Sequence, residues 1–168
     1  MRLYGYFRSS TSYRLRIALN LKGIAFENIP VNLVTAENKD TAFTSRNPFG
    51  SLPMLEAGGR DRAQSMALLE WLDEAYPETP FLPRDIEARY TVRELAYAIA
   101  TEIHAVNNLP VLKYLKDPLG HSQDDVDVWY RHWLKRTLDP VEARLAQLGT
   151  GDFLFGDAPG LVLSLIHI

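Results

Sequence analysis

The pattern of hydrophobic and polar positions at the start of the chain is first typical of a strand, then of a helix, and then of a strand again. Residues 2 to 7 are aromatic and β-favouring, and the apolar positions between Tyr13 and Lys22 follow the period of a helix. Gly23 is suited to terminate that helix. The segment IAFENIPVNL then predicts a second strand. Together these elements predict a parallel strand-helix-strand unit with a right-handed crossover.

A second group of short elements follows. The pattern predicts a strand from Pro53 to Glu56, a turn at Gly58-Gly59 and another short strand. Ser65 is a good N-cap residue for the helix MALLEWLDEAY, which we expect to end at Pro77. The segment PETPFLPRD contains three prolines in nine residues and predicts a linker.

Beyond this linker the pattern is helical throughout. One helix is predicted from apolar positions on a single face, namely Val92, Leu95, Ala96, Ile99, Ile103 and Val106. A partner helix would present Val126, Trp129, Trp133 and Leu134, and Pro140 should break or kink it. We therefore predict an α/β domain over residues 1–80 and an all-helical domain over residues 84–168. The tail GLVLSLIHI fits neither period, so we expect an incomplete helical domain and an atypical end from about residue 162, through truncation or a vector-derived or frame-shifted sequence. A genuine terminus is the alternative.

Composition narrows the possible chemistry. The chain has 168 residues, a formal net charge of −3 and no cysteine. The charge argues against nucleic acid as a partner, and the lack of cysteine excludes disulfides, thiolate metal sites and a protein-borne nucleophilic thiol. Any sulfur chemistry must therefore use a thiol carried by a ligand. The four histidines show no ligand-like spacing, so we predict no metal site. No apolar run has the length of a signal core or a membrane span, and we expect a cytoplasmic protein that does not bind membranes.

A cluster of hydroxyls precedes the first helix: Ser9, Ser10, Thr11 and Ser12. A helix N-terminus presents unpaired N–H groups and a partial positive charge, so hydroxyls there can hold an anion. A ligand thiol with a pKa of about 8.5 would become largely thiolate at such a site. The structural alternative is that these hydroxyls only cap the helix.

Two further features fit an anionic, peptide-like ligand. Pro53 stands at a strand start, where a cis Leu52-Pro53 bond would leave the preceding backbone free to pair with an extended ligand. Gln64 and Ser65 stand at another helix N-terminus, which is suited to a carboxylate. Each feature alone is usually structural, but the three in this order are more specific.

These motifs resemble the zeta class of glutathione transferases from Leu3 to about Leu161. The resemblance is carried by YFRSSTSYRLRIALNLKG, NPFGSLPML, QSMALLEWLDEAYP, FLP, IHAVNNLPVLKYL and GDAPGL. It implies an α/β thioredoxin-like N-terminal domain followed by an all-α helical C-terminal domain. It also implies glutathione as cofactor, and a homodimer.

The resemblance assigns roles to individual residues. Ser9 would support the glutathione thiolate, with Ser10 beside it, and Thr11 stands where the class most often has cysteine. The backbone of Leu52 before Pro53 would pair with the cysteinyl unit of glutathione. Further glutathione contacts are implied for Gln64 and Ser65 at the γ-glutamyl end, and for Asn38, His104, Asn107 and Asn108.

The implied reaction is cis-trans isomerisation of an unsaturated dicarboxylic keto acid. The glutathione thiolate would add to the double bond, the enolate would allow rotation, and elimination would restore the alkene and the thiol. Arg8 would read a substrate carboxylate, because a guanidinium binds carboxylates in a fixed bidentate geometry. We expect Arg14 and Arg16 to be structural, paired with acidic groups or solvated.

Several functions remain open from sequence. Relatives that act on maleylpyruvate often carry arginine after the NN pair, where this chain has Leu109 and Pro110. This favours maleylacetoacetate, an intermediate of aromatic amino-acid catabolism, over maleylpyruvate. A general glutathione transferase is another alternative, and a non-catalytic interaction module with the same fold is an alternative of a different class.

Overall fold

The computed structural model describes residues 1–149, 152–155 and 158–165. Part of the GDAPGL motif and the last three residues of the tail lie outside the described residues. The chain forms two compact units. The first comprises Met1–Leu82 together with residues from Pro159, and the second comprises Pro83–Ala158.

The first unit is built on a four-stranded mixed sheet. Its strands are β1 (Arg2–Gly5), β2 (Glu27–Pro30), β3 (Met54–Ala57) and β4 (Arg60–Ala63), in the order β2-β1-β3-β4. Strand β1 pairs in parallel with β2 and antiparallel with β3, so that Leu3 lies opposite both Asn28 and Leu55. This confirms the predicted parallel strand-helix-strand unit.

Two helices of this unit pack against each other: α1 (Ser10–Leu21) and α3 (Ser65–Ala75). Their buried residues include Leu15 and Leu19 of α1 and Leu68, Leu69 and Leu72 of α3. Between them lie a short 3₁₀ turn (Glu37–Lys39) and α2 (Thr41–Thr44).

Glycines mark two places where this unit requires them. Gly23 follows α1 with φ of +66°, which confirms it as the terminator of that helix. A Cβ on Gly5 would lie 3.1 Å from the Cβ of the buried Ser12. The missing side chain therefore lets β1 pass close to the start of α1.

The start of α3 differs from the prediction. Ser65 is the first helical residue, whereas Gln64 occupies the N-cap position with φ of +70° and makes no side-chain cap hydrogen bond. The prediction of Ser65 as N-cap is therefore wrong by one residue. The Ser65 hydroxyl instead contacts an arginine from α1, as described below.

The second unit is helical. It contains α4 (Ile86–Tyr97), which continues as a π-helix (Ala98–His104), then α5 (Leu109–Lys116) and α6 (Gln123–Leu148). The predicted apolar face is buried at Val92, Leu95, Ala96, Ile99 and Ile103. Ser122 and Asp125 form a capping box at the start of α6.

Pro140 does not break α6, which runs without interruption from Gln123 to Leu148. The predicted break is therefore wrong, and the alternative of a kink at Pro140 stays a prediction. Proline removes one N–H and crowds the preceding turn, but the residues on both sides keep helical backbone geometry.

Residues 159–165 fold onto the first unit. A 3₁₀ turn (Leu161–Ser164) contacts α1, and the Leu161 N–H donates to the Phe81 carbonyl at 3.1 Å. Leu161, Val162 and Leu165 are buried. This segment is too uniformly apolar to show a helical or strand period, and these three apolar side chains are buried in the first unit.

No helix in the described part of the chain is long and apolar enough to cross a membrane.

Candidate glutathione site

The hydroxyl cluster lies at the N-terminus of α1. Ser9 is the N-cap residue of the helix, and its Oγ accepts a hydrogen bond from the Ser12 N–H at 3.2 Å. The same Oγ lies 2.9 Å from Thr11 Oγ1. Ser9, Ser10 and Thr11 are half-buried, whereas Ser12 is fully buried. Ser9 therefore caps the helix and also faces a region where an anion would be stabilised.

These hydroxyls form a chain whose direction follows from their partners. Thr11 Oγ1 donates to the Leu52 carbonyl at 3.0 Å, and a carbonyl can only accept. The single hydroxyl hydrogen of Thr11 is therefore used, so Ser9 must be the donor in the Ser9-Thr11 hydrogen bond. Ser9 thus directs its own hydrogen to Thr11 when no ligand competes for it.

The Leu52-Pro53 bond is cis, as the sequence allowed. Pro53 is buried, while Leu52 is half-buried and packs against a cluster of Tyr4, Val31, Phe43 and Met54. The Thr11 hydroxyl thus connects the start of α1 to the backbone immediately before β3.

Two buried asparagines support the loop before Leu52. Asn38 Nδ2 donates to the Gly50 carbonyl at 2.6 Å, and Asn47 Nδ2 donates to the Ser51 carbonyl at 2.7 Å. The sequence predicted Asn38 as a peripheral glutathione contact, and its amide nitrogen is engaged in holding this loop. Asn47 was missed, although the Asn-Pro pair at Asn47 is a signal for a turn.

The third predicted feature is at the N-terminus of α3. Gln64 is exposed, and Ser65 is buried directly after it. Ser65 Oγ accepts a hydrogen bond from Arg14 Nη1 at 2.9 Å. Arg14 of α1 thus contacts Ser65 at the N-terminus of α3, which is the helix end that was predicted to hold a carboxylate.

The expectation that Arg14 is paired with an acid or solvated is wrong. Its side chain is only 2% exposed, and its one hydrogen bond to a described residue is with Ser65. Burial lowers the pKa of Arg14 to about 10, so the group is still charged at neutral pH. The signal in the sequence was its position four residues before Ala18, on the buried face of α1.

The other two arginines of this region differ from Arg14. Arg8 is exposed and makes no hydrogen bond or ion pair with the described residues. Arg16 Nη2 donates to the Phe7 carbonyl at 3.3 Å, and its guanidinium lies 5.2 Å from the centre of the Tyr13 ring. Arg8 is therefore available for an external anion, whereas Arg16 has local partners.

The remaining predicted residues are in the second unit. Asn108 is the N-cap of α5: its Oδ1 accepts from the Val111 N–H at 3.1 Å, and its Nδ2 donates to the Ala105 carbonyl at 2.8 Å. Asn107 is buried, and neither polar atom of its side-chain amide has a partner among the described residues. His104 is half-buried at the end of the π-helix.

Comparison with known proteins identifies the family. The N-terminal domain of glutathione S-transferases matches residues 1–74. Maleylpyruvate isomerase from Ralstonia sp is 41% identical over 162 residues, which are 96% of this chain and 76% of that protein. A zeta-class glutathione S-transferase from Euphorbia esula is 38% identical over 94% of this chain and 68% of its own length. The chain belongs to the zeta class of glutathione S-transferases.

Solved structures agree with this assignment. A holo structure of maleylpyruvate isomerase, described as a bacterial zeta-class enzyme, has a TM-score of 0.94 and 40% identity, and covers 98% of this chain and 78% of its own. A maleylacetoacetate isomerase from Methylobacterium extorquens AM1, solved with malonate and glutathione, has a TM-score of 0.92 and 34% identity, with the same two coverages. The fold of this zeta-class chain is thus the glutathione transferase fold, with a thioredoxin-like first domain and a helical second domain.

Proposed function

We propose that this protein is a glutathione-dependent cis-trans isomerase of an unsaturated dicarboxylic keto acid, with maleylacetoacetate as substrate and fumarylacetoacetate as product. The observation that carries the proposal is the hydroxyl of Ser9 at the N-cap of α1, beside the cis-proline turn. The family and the named activities of its relatives support the same reaction.

The donors of the first unit fit glutathione, which is a peptide with an anionic end and a thiol. The α1 N-terminus and Ser9 suit the thiol, the backbone of Leu52 before the cis proline suits the cysteinyl unit, and the α3 N-terminus with Gln64 and Ser65 suits the γ-glutamyl carboxylate. When bound, glutathione supplies a nucleophilic thiol whose reversible addition to the substrate double bond permits rotation. It is regenerated at the end of each cycle.

Ser9 would stabilise the thiolate by redirecting its hydroxyl hydrogen. That hydrogen is engaged by the neutral Thr11 hydroxyl in the absence of a ligand, and a hydrogen bond to an anion is roughly twice as strong as one between neutral groups. The exchange of partner therefore favours the charged ligand. Ser12 N–H continues to donate to Ser9 Oγ and keeps the side chain in place.

Arg8 would hold a substrate carboxylate. It directly precedes Ser9, it is exposed, and no described residue neutralises it. A guanidinium keeps its charge at neutral pH and presents two parallel N–H donors to a carboxylate. Substrate would thus bind with one end fixed while the rest of the molecule is free to rotate.

Maleylpyruvate is the second candidate substrate. Leu109 and Pro110 stand where relatives acting on maleylpyruvate often have arginine, which favours maleylacetoacetate. The 41% identity to a relative named maleylpyruvate isomerase favours the alternative. Both substrates share the cis double bond and the dicarboxylate that the proposed roles of Ser9 and Arg8 require.

Isomerisation of both substrates, followed by absorbance with and without glutathione, tests the proposal. We expect glutathione-dependent turnover, which falls about tenfold or more in Ser9→Ala because one hydrogen bond to the thiolate is lost. In Arg8→Met we expect mainly a higher KM. Glutathione binding without turnover of either substrate would indicate a general glutathione transferase or a binding protein. Absence of glutathione binding would favour a non-catalytic interaction module.

Two further features are predicted from the resemblance to the family. We expect a homodimer, as implied for zeta-class proteins, and a cytoplasmic location.

A further inference from the structure

Arg14 of α1 is a buried cation that contacts the start of α3. No described residue balances its charge. The guanidinium has five N–H donors, but it makes one hydrogen bond to a described residue, from Nη1 to Ser65 Oγ at 2.9 Å. Nε and Nη2 are buried and have no partner among the described residues. Buried charges in proteins are normally paired, because transfer from water is costly. A purely structural tether between α1 and α3 would not need a charge.

The contact with Arg14 also fixes the direction of the Ser65 hydroxyl. A guanidinium can only donate, so Ser65 Oγ is the acceptor and its own hydrogen is free for another partner. Ser65 is the first residue of α3, an eleven-residue helix whose N-terminal N–H groups favour an anion. The exposed Gln64 precedes it with a φ of +70°. The Ser65 hydroxyl, the helix end and the cation behind them all favour negative charge.

We propose that Arg14 is a positioning residue for the anionic end of glutathione: it holds Ser65 as a hydroxyl donor and supplies positive potential behind the α3 N-terminus. This inference rests on the proposed function, because it assumes that glutathione is the ligand. It predicts that Arg14 determines the preference of the site for a carboxylate over a neutral group, although Arg14 acts through Ser65.

Calorimetric titration with two ligands tests this role. One is glutathione, and the other is its analogue in which the α-carboxylate of the γ-glutamyl residue is a carboxamide. We expect the unmodified protein to prefer glutathione by about tenfold or more, since a hydrogen bond to a charged group is lost in the analogue. In Arg14→Met the affinity for glutathione should fall by a similar factor, while that for the analogue changes little. The preference for the carboxylate therefore largely disappears.

Two sets of variants separate this role from simple destabilisation. Arg16→Met removes a guanidinium from the same helix and should leave the preference unchanged. Ser65→Ala should reduce the preference, and Arg14→Met combined with Ser65→Ala should cost no more than the larger single effect, because the two residues act as one unit. Arg14→Lys keeps the charge but loses the planar fork, so we expect a partial loss of preference.

The outcomes distinguish the two proposals. The role of Arg14 is overturned if Arg14→Met still binds glutathione with an unchanged preference for the carboxylate over the carboxamide. If the methionine variant does not fold, the same result in Arg14→Lys overturns it. Either result leaves the proposed function intact. Additive effects of the Arg14 and Ser65 substitutions overturn the action through Ser65. No glutathione binding by the unmodified protein contradicts both proposals.

Discussion

At the scale of single residues, Arg46 organises one face of the sheet. Its guanidinium donates to Glu56 and Asp61 at 2.6 Å each and to the Tyr4 hydroxyl at 2.7 Å. It also lies over the Tyr4 ring, 4.6 Å from its centre. The hydrogen bonds from Arg46 lower the pKa of both Glu56 and Asp61. These carboxylates therefore stabilise the folded state only while they are ionised.

Replacement of Arg46 by methionine should lower Tm by a few degrees at pH 7, because two carboxylates and a phenol lose a shared donor. A lowered pKa in the folded state stabilises the protein above the unfolded-state values of about 4, and this contribution is lost as pH falls through the folded-state values. The Tm difference between wild type and Arg46→Met should thus shrink below about pH 4. Thermal unfolding followed by circular dichroism from pH 7 to pH 3 measures it.

Arg131→Met is the matched control, since Arg131 is exposed and pairs with Asp127 only at 3.7 Å. It should change Tm little at any pH. A Tm difference for Arg46→Met that is constant across this pH range would contradict the role assigned to the two carboxylates.

The sequence predicted candidate site residues, but it did not predict the contacts between them. Ser9, Leu52, Gln64 and Ser65 were proposed as site residues from their positions at helix ends and before a proline, and these roles stay predictions. The contact of Thr11 with Leu52 and that of Arg14 with Ser65 span 41 and 51 residues of chain. Such pairings depend on tertiary packing, so the burial of Arg14 and the donor role of Ser9 required the structure.

At the scale of secondary-structure elements, Lys22 fixes the end of α1 to the end of α3. Its Nζ lies 3.1 Å from Asp73 Oδ1, 2.9 Å from the Tyr76 carbonyl and 2.7 Å from the Thr79 carbonyl. The side chain is 1% exposed and lies over the Phe81 ring. One ammonium group therefore satisfies acceptors of the α3 terminus and of the segment that follows it.

Lys22→Met should destabilise the fold by about 3–5 kcal/mol, because it leaves the largely buried Asp73 carboxylate without its cation. Equilibrium unfolding in urea measures the change. The control is Lys135→Met, whose exposed lysine pairs with Asp139 one turn away on α6 and whose loss should cost about 0.5 kcal/mol or less. Equal effects of the two substitutions would show that the Lys22 contacts do not stabilise the fold.

Element types were predictable where apolar spacing and caps agreed. The four strands, α1 and α3 follow that rule, with boundaries shifted by a few residues. Apolar spacing could not reveal the π-helix of Ala98–His104, since Ile99 and Ile103 are buried on one face in either helix type. It also could not reveal that α6 accommodates Pro140, because the helix is stabilised by turns on both sides of the proline.

At the scale of the whole molecule, the two compact units correspond to the two domains of a glutathione transferase. The chain covers 76% of the length of the Ralstonia relative. We expect the protein to form a homodimer in solution, as implied by the zeta-class resemblance. Light scattering coupled to size-exclusion chromatography should give twice the 19.1 kDa of one chain. A mass of one chain at micromolar concentration would contradict that expectation.

We expect Ser9 at the α1 N-terminus to activate the thiol of bound glutathione by lowering the pKa of that thiol. Ultraviolet absorbance of the thiolate, titrated with pH on the wild-type chain and on Ser9→Ala, measures this directly. We expect the bound thiol in the wild type to titrate clearly below its free value, and the pKa in the variant to return upward by about one to two units. The same thiol pKa in both proteins, with glutathione bound to both, would remove Ser9 from the mechanism.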